Sequence, residues 1–448
     1  MSEGGSKGAV TEARAGSAFL SRDFRLYQSA RLMVIVGAEA QSVAVAWQVY
    51  AITHSALDLG FTGLALFLPG LLMVLPAGHV ADRFDRRKII LACYSLQAIC
   101  TIALLWLSLT KTHISHGQVW PIYAVLLGIG LGRAFSGPAS SAMLPSLVPK
   151  DHFVNAVTWG GTINQAANMA GPTVGGLLFT LPLTGILAPW NGASIVYAFT
   201  LAMLLSFLVL VGMIRTRMDG TKTQFNAKNM LAGLEYVWKT KLLLGSISLD
   251  LFAVLLGGAV ALLPIFATDM LHAGPRGLGL LRAMPAVGAL AVSLVMVIKP
   301  VQRKAGWLML SCVGIFGAAT IVFGLSKNIW ISLIALVIVG GSDMVSVVIR
   351  GSVLQLATPP HMRGRVSAVN WIFIGASNEF GEFESGLTAH WWGAVRAVVV
   401  GGIGTLAVMG ASAALFPALR RADALTAESL MSIEDELSPG GPVDSMRK

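Results

Sequence analysis

The sequence predicts an all-α integral membrane protein with twelve transmembrane helices in two pseudo-symmetric six-helix bundles. Three observations predict it. First, 55% of the 448 residues are hydrophobic and 12% are charged, with a mean hydropathy of +0.72. A soluble domain carries about 25% charged residues. Second, apolar runs long enough to cross a bilayer core as helices, roughly 20 residues each, recur along the whole chain. Third, the cations cluster in alternate loops between those runs. The net charge of +10 is then topological and calls for no nucleic-acid partner.

The spans follow in order. Segment 1–22 is polar and Gly/Ser-rich. It has neither the apolar core nor the cleavage site of a signal peptide, so the first apolar run is expected to act as an uncleaved signal. Length and polarity then predict spans at 31–52, 57–78, 88–110, 119–143, 153–180 and 193–215. The second six are 244–268, 277–299, 306–326, 329–352, 366–391 and 395–418. One set of loops holds Arg83, Arg86, Arg87 and Lys88, then Lys150, then Arg215, Arg217, Lys222, Lys228, Lys239 and Lys241. It continues with Lys299, Arg303, Lys304, Arg363 and Arg365. The opposite set holds only Lys111, Arg276, Lys327 and Arg396. This imbalance of about fourfold puts the first set, and with it both termini, in the cytoplasm.

The chain divides into a cytoplasmic tail (1–22), a six-helix bundle (23–215), a linker (216–243), a second bundle (244–419) and a polar, partly acidic tail (420–448) expected to be disordered. Within the linker, Met230-Leu-Ala-Gly-Leu-Glu-Tyr-Val-Trp-Lys-Thr-Lys has apolar residues at helical spacing beside basic ones. It is expected to lie as a helix along the inner surface; a plain polar linker is the alternative. The halves resemble each other. Ser141-Ala-Met-Leu-Pro-Ser-Leu-Val-Pro after the fourth span corresponds to Ser352-Val-Leu-Gln-Leu-Ala-Thr-Pro-Pro after the tenth. Repeated halves are a transporter architecture, with the site at the midplane between them. Cys93, Cys100 and Cys312 all lie in apolar runs, with no metal spacing and no disulfide framework.

Ionisable groups within spans are costly and therefore functional candidates. They are Glu39, Arg133, Asp250, Asp343, Glu379, Glu382 and Glu384. Arg282 and Arg350 lie nearer helix ends and are expected to snorkel to the interface. Glu379 and Glu382 are three apart and share a face. Two carboxylates that close cannot both ionise easily in low dielectric, so one is expected to hold a proton near neutral pH. Metal or organic cations could use the same groups, and pairing with an arginine is the purely structural alternative. Arg133 sits in Gly128-Ile-Gly-Leu-Gly132-Arg133-Ala-Phe-Ser136-Gly137-Pro138. It needs a carboxylate or an anionic ligand, and Glu39 is a candidate partner. The fifth span carries Asn164, Gln165 and Asn168 ahead of Gly171-Pro172-Thr-Val-Gly175-Gly176. The three amides can line a polar path. The glycines and proline make a thin helix, which fits ordinary membrane packing as well.

These motifs carry a resemblance. Gly78-x-x-x-Asp82-Arg83-x-Asp85-Arg86-Arg87-Lys88 matches the loop between the second and third helices of the major facilitator superfamily. The general motif has glycine where Asp85 stands; acid there is common in the branch of enterobactin exporters and drug-efflux proteins. Arg133-x-x-Ser136-Gly137 resembles the fourth-helix arginine motif, with Ser136 in place of glutamine. Gly171-Pro172-x-x-Gly175-Gly176 resembles the core of the exporter motif, with Thr158 and Ala167 at its upstream glycine positions. Lys299-Pro-Val-Gln-Arg303-Lys304 is a degenerate second-half counterpart of the loop. The resemblance covers about residues 23–420 and implies a secondary transporter in which two bundles rock about a central cavity. It implies that Asp82 and the loop arginines lock the cytoplasmic side against helix ends of the other bundle.

The expected function is proton-coupled export of a small amphipathic molecule, a drug or siderophore, by an antiporter in the inner membrane of a bacterium. The expected partners are the substrate, protons and membrane lipid, with the protein a monomer. No Gly-x-x-x-x-Gly-Lys-Ser/Thr loop occurs, which argues against an ATP-driven pump, and no cofactor or bound metal is expected. Metal-cation efflux and lipid or lysolipid transport are alternatives in the same fold. A lipid-modifying enzyme would need a nucleophile or metal constellation, and none is legible.

Overall fold

The computed structural model describes residues 17–110, 118–143, 147–149, 152–181, 191–215, 227–299, 301, 303–359, 362–423 and 429, and all regular structure among them is helical. The first 16 residues, the polar half of the linker and nearly all of the acidic tail lie outside the described residues, as do the side chains at 78 and 82. The first bundle comprises α1 (Arg22–Thr53), α2 (Ala56–Arg83), α3 (Arg86–Thr110), α4 (Trp120–Met143), α5 (Phe153–Phe179) and α6 (Gly192–Gly212). The linker helix α7 (Ala227–Lys239) follows. The second bundle opens with α8 (Lys241–Gly257), which continues irregularly through α9 (Leu263–Ile265) to Met270. It is completed by α10 (Gly274–Ile298), α11 (Ala305–Leu325), α12 (Ile329–Leu356), α13 (Arg363–Trp392) and α14 (Ala394–Leu415), with a short α15 (Pro417–Arg421).

Polar caps set several helix starts. Ser21 accepts from the Phe24 amide at 3.4 Å, and Ser55 from the Asp58 amide at 3.2 Å. Asn191 accepts from the Ser194 amide at 2.8 Å, and Asn328 from the Trp330 amide at 2.9 Å. Each oxygen satisfies a helix-end donor that has no partner within the helix. The Ser21 cap starts α1 nine residues before the span predicted from hydropathy, because Arg22, Asp23 and Arg25 form a charged first turn ahead of the apolar stretch. The seventh span also departs from expectation. Instead of one regular helix it breaks after Gly257, passes through a 3-10 turn (Ala259–Leu262) and ends in a π turn (Phe266–Met270). Adjacent Gly257 and Gly258 weaken the helix, and Pro264 supplies no backbone N–H. The freed Gly258 carbonyl accepts from Ser385 Oγ at 3.0 Å, as broken backbone at membrane depth requires.

Among the described residues, ten helices are long and apolar enough to cross a membrane on length and composition. The two other long helices, α5 (27 residues) and α13 (30 residues), carry amides and carboxylates in their middle turns. Both pack across the divide between bundles, α5 on α10 and α13 on α2. Their polar faces are therefore turned toward protein rather than lipid.

The two ends of the molecule differ. We call the end bearing the α2–α3 loop the basic face. At the opposite face one apolar core joins both bundles, from Ala40, Val49 and Leu59 to Leu262, Phe266 and Leu278. At the basic face each bundle keeps its own core, one around Phe24, Ile90 and Phe207, the other around Leu242, Met309 and Val353. Glycines make the joined end possible. A Cβ on Gly176 of α5 would lie 2.8 Å from Pro275 O and 2.9 Å from Gly279 Cα of α10; one on Gly386 of α13 would lie 2.8 Å from Gly60 Cα of α2. Backbones thus touch without side chains between them. Tyr50 donates to Asp269 and Arg276 donates to Thr180 Oγ1 at 2.6 Å, both from bundle to bundle at this same end. Toward the basic face the α2–α13 seam opens: a Cβ on Gly70 would meet nothing within 4 Å, and one on Gly375 only the Phe67 ring at 3.9 Å.

Helix α7 packs on the second bundle, with Gly233 against the Arg365 backbone and Tyr236 donating to Ala357 O at 2.9 Å. Its outer side exposes Trp238, and Lys239 donates to Glu235 at 2.6 Å, which holds that carboxyl below its ordinary range.

Leucine at Gly176 is expected to prise α5 from α10. Overpacking of this kind costs about 1–3 kcal/mol, and the check is a lower Tm together with faster impermeant-maleimide labelling of a cysteine at Ser42 from the opposite face. Unchanged labelling would show that this crossing does not hold the end shut.

Candidate functional site

Between the bundles lies a cavity of about 400 Å³. Its polar lining comes from Glu39 of α1, Arg133 of α4, Arg282 of α10, Asp343 of α12, and Asn378, Glu379 and Glu382 of α13. Its apolar lining includes Leu66, Val254, Phe316, Phe323, Leu336 and Val339. The broken backbone of Gly257–Val260 forms one side, consistent with irregular backbone at membrane depth being tolerated where it lines a cavity.

Each charge has a local reason for its position. Glu379 and Glu382 belong to a stripe, Gly375, Glu379, Glu382 and Gly386, at 4-3-4 spacing on one face of α13. Gly386 holds that face against α2, and the carboxylates follow into the space beside Gly63. A Cβ on Gly63 would lie 2.8 Å from Glu382 Oε2 and 3.7 Å from Glu379 Oε2. Phe67 and Phe380 stack edge-on at 5.2 Å next to them, and Phe61 meets Phe383 at 5.6 Å. Glu39 emerges where α5 has Gly171: a Cβ there would come within 2.5 Å of Glu39 Cβ.

The cavity therefore holds four carboxylates and two guanidiniums. Among the described residues none of these six makes an ion pair within 4 Å; the pairs found are Arg22–Asp23, Lys239–Glu235 and Arg350–Asp250. Their charges act on one another across the cavity instead, with Arg133, Arg282 and Glu39 all acting on Glu379 and Glu382. Such a lining offers charged partners and apolar surface to one small amphipathic molecule. It is also neutral as a whole when two of the carboxyls carry protons.

Two expectations from the sequence are corrected here. Arg282 does not snorkel to an interface; it is two turns inside α10 and faces the cavity, because the apolar face of α10 is already taken by α5 and α12. Arg350 does not snorkel either. It is 3% exposed and pairs with Asp250, itself 5% exposed, deep in the second bundle. A buried charge of either sign needs that partner. No local spacing gives this pair away, since its members are 100 positions apart on α8 and α12.

A family model described as a transmembrane secretion effector matches residues 15–439. The chain belongs to that family of major facilitator transporters. The enterobactin exporter EntS of Citrobacter koseri is 28% identical over 399 residues, covering 88% of each chain. That of Escherichia coli O81 is 29% identical over 397 residues, covering 87% of each. Among solved structures, a bacterial homologue of the human lysosomal transporter Spinster, inward-facing and occupied, has a TM-score of 0.66 at 16% identity, covering 89% of this chain and 98% of the other. A bacterial homologue of ferroportin in an inward-facing state has a TM-score of 0.61 at 13% identity, covering 87% and 98%. Fold and family are those of multi-pass secondary transporters of small molecules, not of enzymes.

The other candidate residues of this transporter are placed as follows. Asn164 Oδ1 accepts from Arg31 of α1 at 3.4 Å, and Gln165 donates across the divide to Ala286 O at 3.2 Å. Asn168 is half-buried on the same helix, and Glu384 is half-buried on α13; none of these four residues is among those lining the cavity. In the exporter motif Gly171 and Gly175 receive α1, while Pro172 and Gly176 receive α10, so one thin helix packs tightly on both sides. In the loop motif Asp85 accepts from the Arg87 amide at 2.9 Å, and the Arg87 guanidinium donates to Gly212 O. Arg86 is buried; Arg83 and Lys88 are exposed. The helix end that Arg87 holds is that of α6 in its own bundle, not one of the other bundle, since the bundles stand apart on this face.

Replacing Asp250 by Asn or Arg350 by Gln alone is expected to lower stability by about 3–5 kcal/mol, since each strands a buried charge. The double replacement Asp250→Leu, Arg350→Met should recover most of that loss. Thermal unfolding in detergent reads both outcomes, and singles as stable as wild type would contradict the burial argument.

Proposed function

We propose that this transporter is a proton-coupled exporter of a small amphipathic molecule, acting as a monomer in the inner membrane of a bacterium with both termini in the cytoplasm. The observation that carries this is the cavity: four carboxylates and two guanidiniums line it together with apolar and aromatic side chains. Loop charge supports a cytoplasmic basic face. With the opposite end sealed by the α5–α10 and α2–α13 crossings, the structure is then inward-facing, ready to receive substrate from the cytoplasm. The relatives from Citrobacter koseri and Escherichia coli are named enterobactin exporters, which supports export of a small molecule.

Coupling follows from charge. Glu382 lies in the seam beside Gly63, where ionised carboxylate is costly when the seam is tight and dry. A proton taken from outside neutralises it and removes a counter-charge from Arg133 and Arg282. Proton and substrate therefore alter one another's binding through these arginines, which is the differential interaction that shifts a two-state equilibrium. Asp82, at the end of α2, remains the proposed anionic part of the cytoplasmic lock in the outward-facing state. Metal-cation efflux would draw on the same carboxylates, but no group of three His, Cys, Asp or Glu arranged to hold a metal occurs among the described residues.

The test is transport in inside-out vesicles with an imposed pH gradient, using ethidium and a catecholate siderophore as probes. Glu379→Gln or Glu382→Gln is expected to leave exchange intact and remove its response to the gradient. Both variants responding as wild type does would refute the assignment. Arg133→Ala and Arg282→Ala are expected to slow transport by roughly tenfold or more, the loss of one charge-assisted hydrogen bond. Normal transport by the folded fraction of either would mark that arginine as structural only.

A further inference from the structure

The cavity does not account for every buried charge. Behind its α12 wall lies a second void of about 10 Å³, lined by Asp250, Ser342, Asp343 and Ser346 among others. That is close to the room one water molecule needs. Asp343 lines this void and the large cavity alike. Asp343, Ser346 and Arg350 stand on one stripe of α12, and Arg350 pairs with Asp250 of α8. Asp343 is within electrostatic reach of both members of that pair.

Two features show that the site is incomplete. The first is charge. Arg350 neutralises one carboxylate, but two are present, so the ionised cluster keeps one negative charge, on Asp343 at the border of the large cavity, that no ion pair among the described residues compensates. The second is the Ser346 hydroxyl, which is 2% exposed, lines the void and has no hydrogen-bond partner among the described residues. The Ser342 hydroxyl, by contrast, is already bound to Ile338 O at 2.7 Å and Val339 O at 3.0 Å. The other charged groups that line the large cavity with Asp343 are Arg282 on α10, Glu39 on α1, Arg133 on α4, and Glu379 and Glu382 on α13; α11 contributes the apolar Val313 and Phe316.

We propose that Asp343 is a second proton-carrying group of this transporter, separate from Glu379 and Glu382, and that it works by competing with Asp250 for Arg350. With Asp343 protonated, Arg350 belongs to Asp250 alone, as seen here. When Asp343 releases its proton to the cavity, Arg350 is shared between two carboxylates, and the void gives the side chains room to rearrange. The α8–α12 contact then senses the protonation of the cavity. Sodium fits the site poorly: hard cations commonly gather about six oxygens, and the guanidinium beside the void repels them. The proposal rests on the transport reading but not on the roles given to Glu379 and Glu382.

Infrared difference spectra of the full-length transporter, stepped from acid to alkaline pH in sodium-free buffer, test this. Wild type should lose a carboxylic-acid band that is absent in Asp343→Asn, displaced in frequency in Asp343→Glu, and kept in the Glu379→Gln, Glu382→Gln double variant. Asp343→Asn should also release about one proton fewer per chain. Retention of the band in the Glu double variant separates this site from the one under the proposed function. An unchanged band or proton count in Asp343→Asn would overturn the proposal, as would a band that sodium abolishes. Should Asp343→Asn not fold, an unmoved band in Asp343→Glu overturns it equally.

Discussion

Ionised groups in a low-dielectric interior cost several kcal/mol each unless a partner or a wet cavity receives them, and the rest of this structure depends on how that cost is met. Asp250 and Arg350 meet it by closing on each other. Glu39, Arg133, Arg282, Asp343, Glu379 and Glu382 meet it by converging from five helices on one cavity. The helices that bring them there cannot face lipid with their polar sides. That is why α5 and α13, the two long helices with polar middle turns, lie along the divide between bundles.

Glycine decides where the bundles can close. Gly176 against Gly279 and Gly60 against Gly386 let backbones meet at one end, and the apolar core there is continuous across both bundles. At the basic face the cores are separate. A molecule with one joined end and one parted end, and a charged cavity between, has the geometry that alternating access requires. The carboxylates of Glu379 and Glu382 sit beside Gly63, where the α2–α13 seam passes from closed to open. Their charge therefore bears directly on how far the seam can close.

The two bundles repeat one charge pattern in different states. Each has an acid on its first helix and an arginine on its fourth: Glu39 with Arg133, and Asp250 with Arg350. The second pair is closed and buried, while the members of the first both line the cavity and make no ion pair among the described residues. Pseudo-symmetry thus supplies the same chemical parts twice, and packing assigns one set to the cavity wall and the other to the body of a bundle. Asp343, on the border between large cavity and small void, connects them.

By itself the sequence determined the class, the count and order of spans, the loop asymmetry and the family, because length, hydropathy and local motifs are properties of contiguous residues. It also singled out Glu39, Arg133, Asp343, Glu379 and Glu382, since charge in an apolar run stands out whatever the fold. It could not separate these from Asn168 and Glu384, which occupy similar runs but do not line the cavity. Arg282 and Arg350 were misplaced for a related reason: position along a helix says how deep a residue lies, not what it faces. The break in the seventh span was hidden because Gly257 and Gly258 disturb a helix only where a neighbour such as Ser385 can satisfy the freed carbonyl. Partnership, facing direction and conformational state depend on residues more than a hundred positions apart, such as Asp250 with Arg350 and Gly60 with Gly386. Only the tertiary structure, which pays for ordering those residues together, decided them.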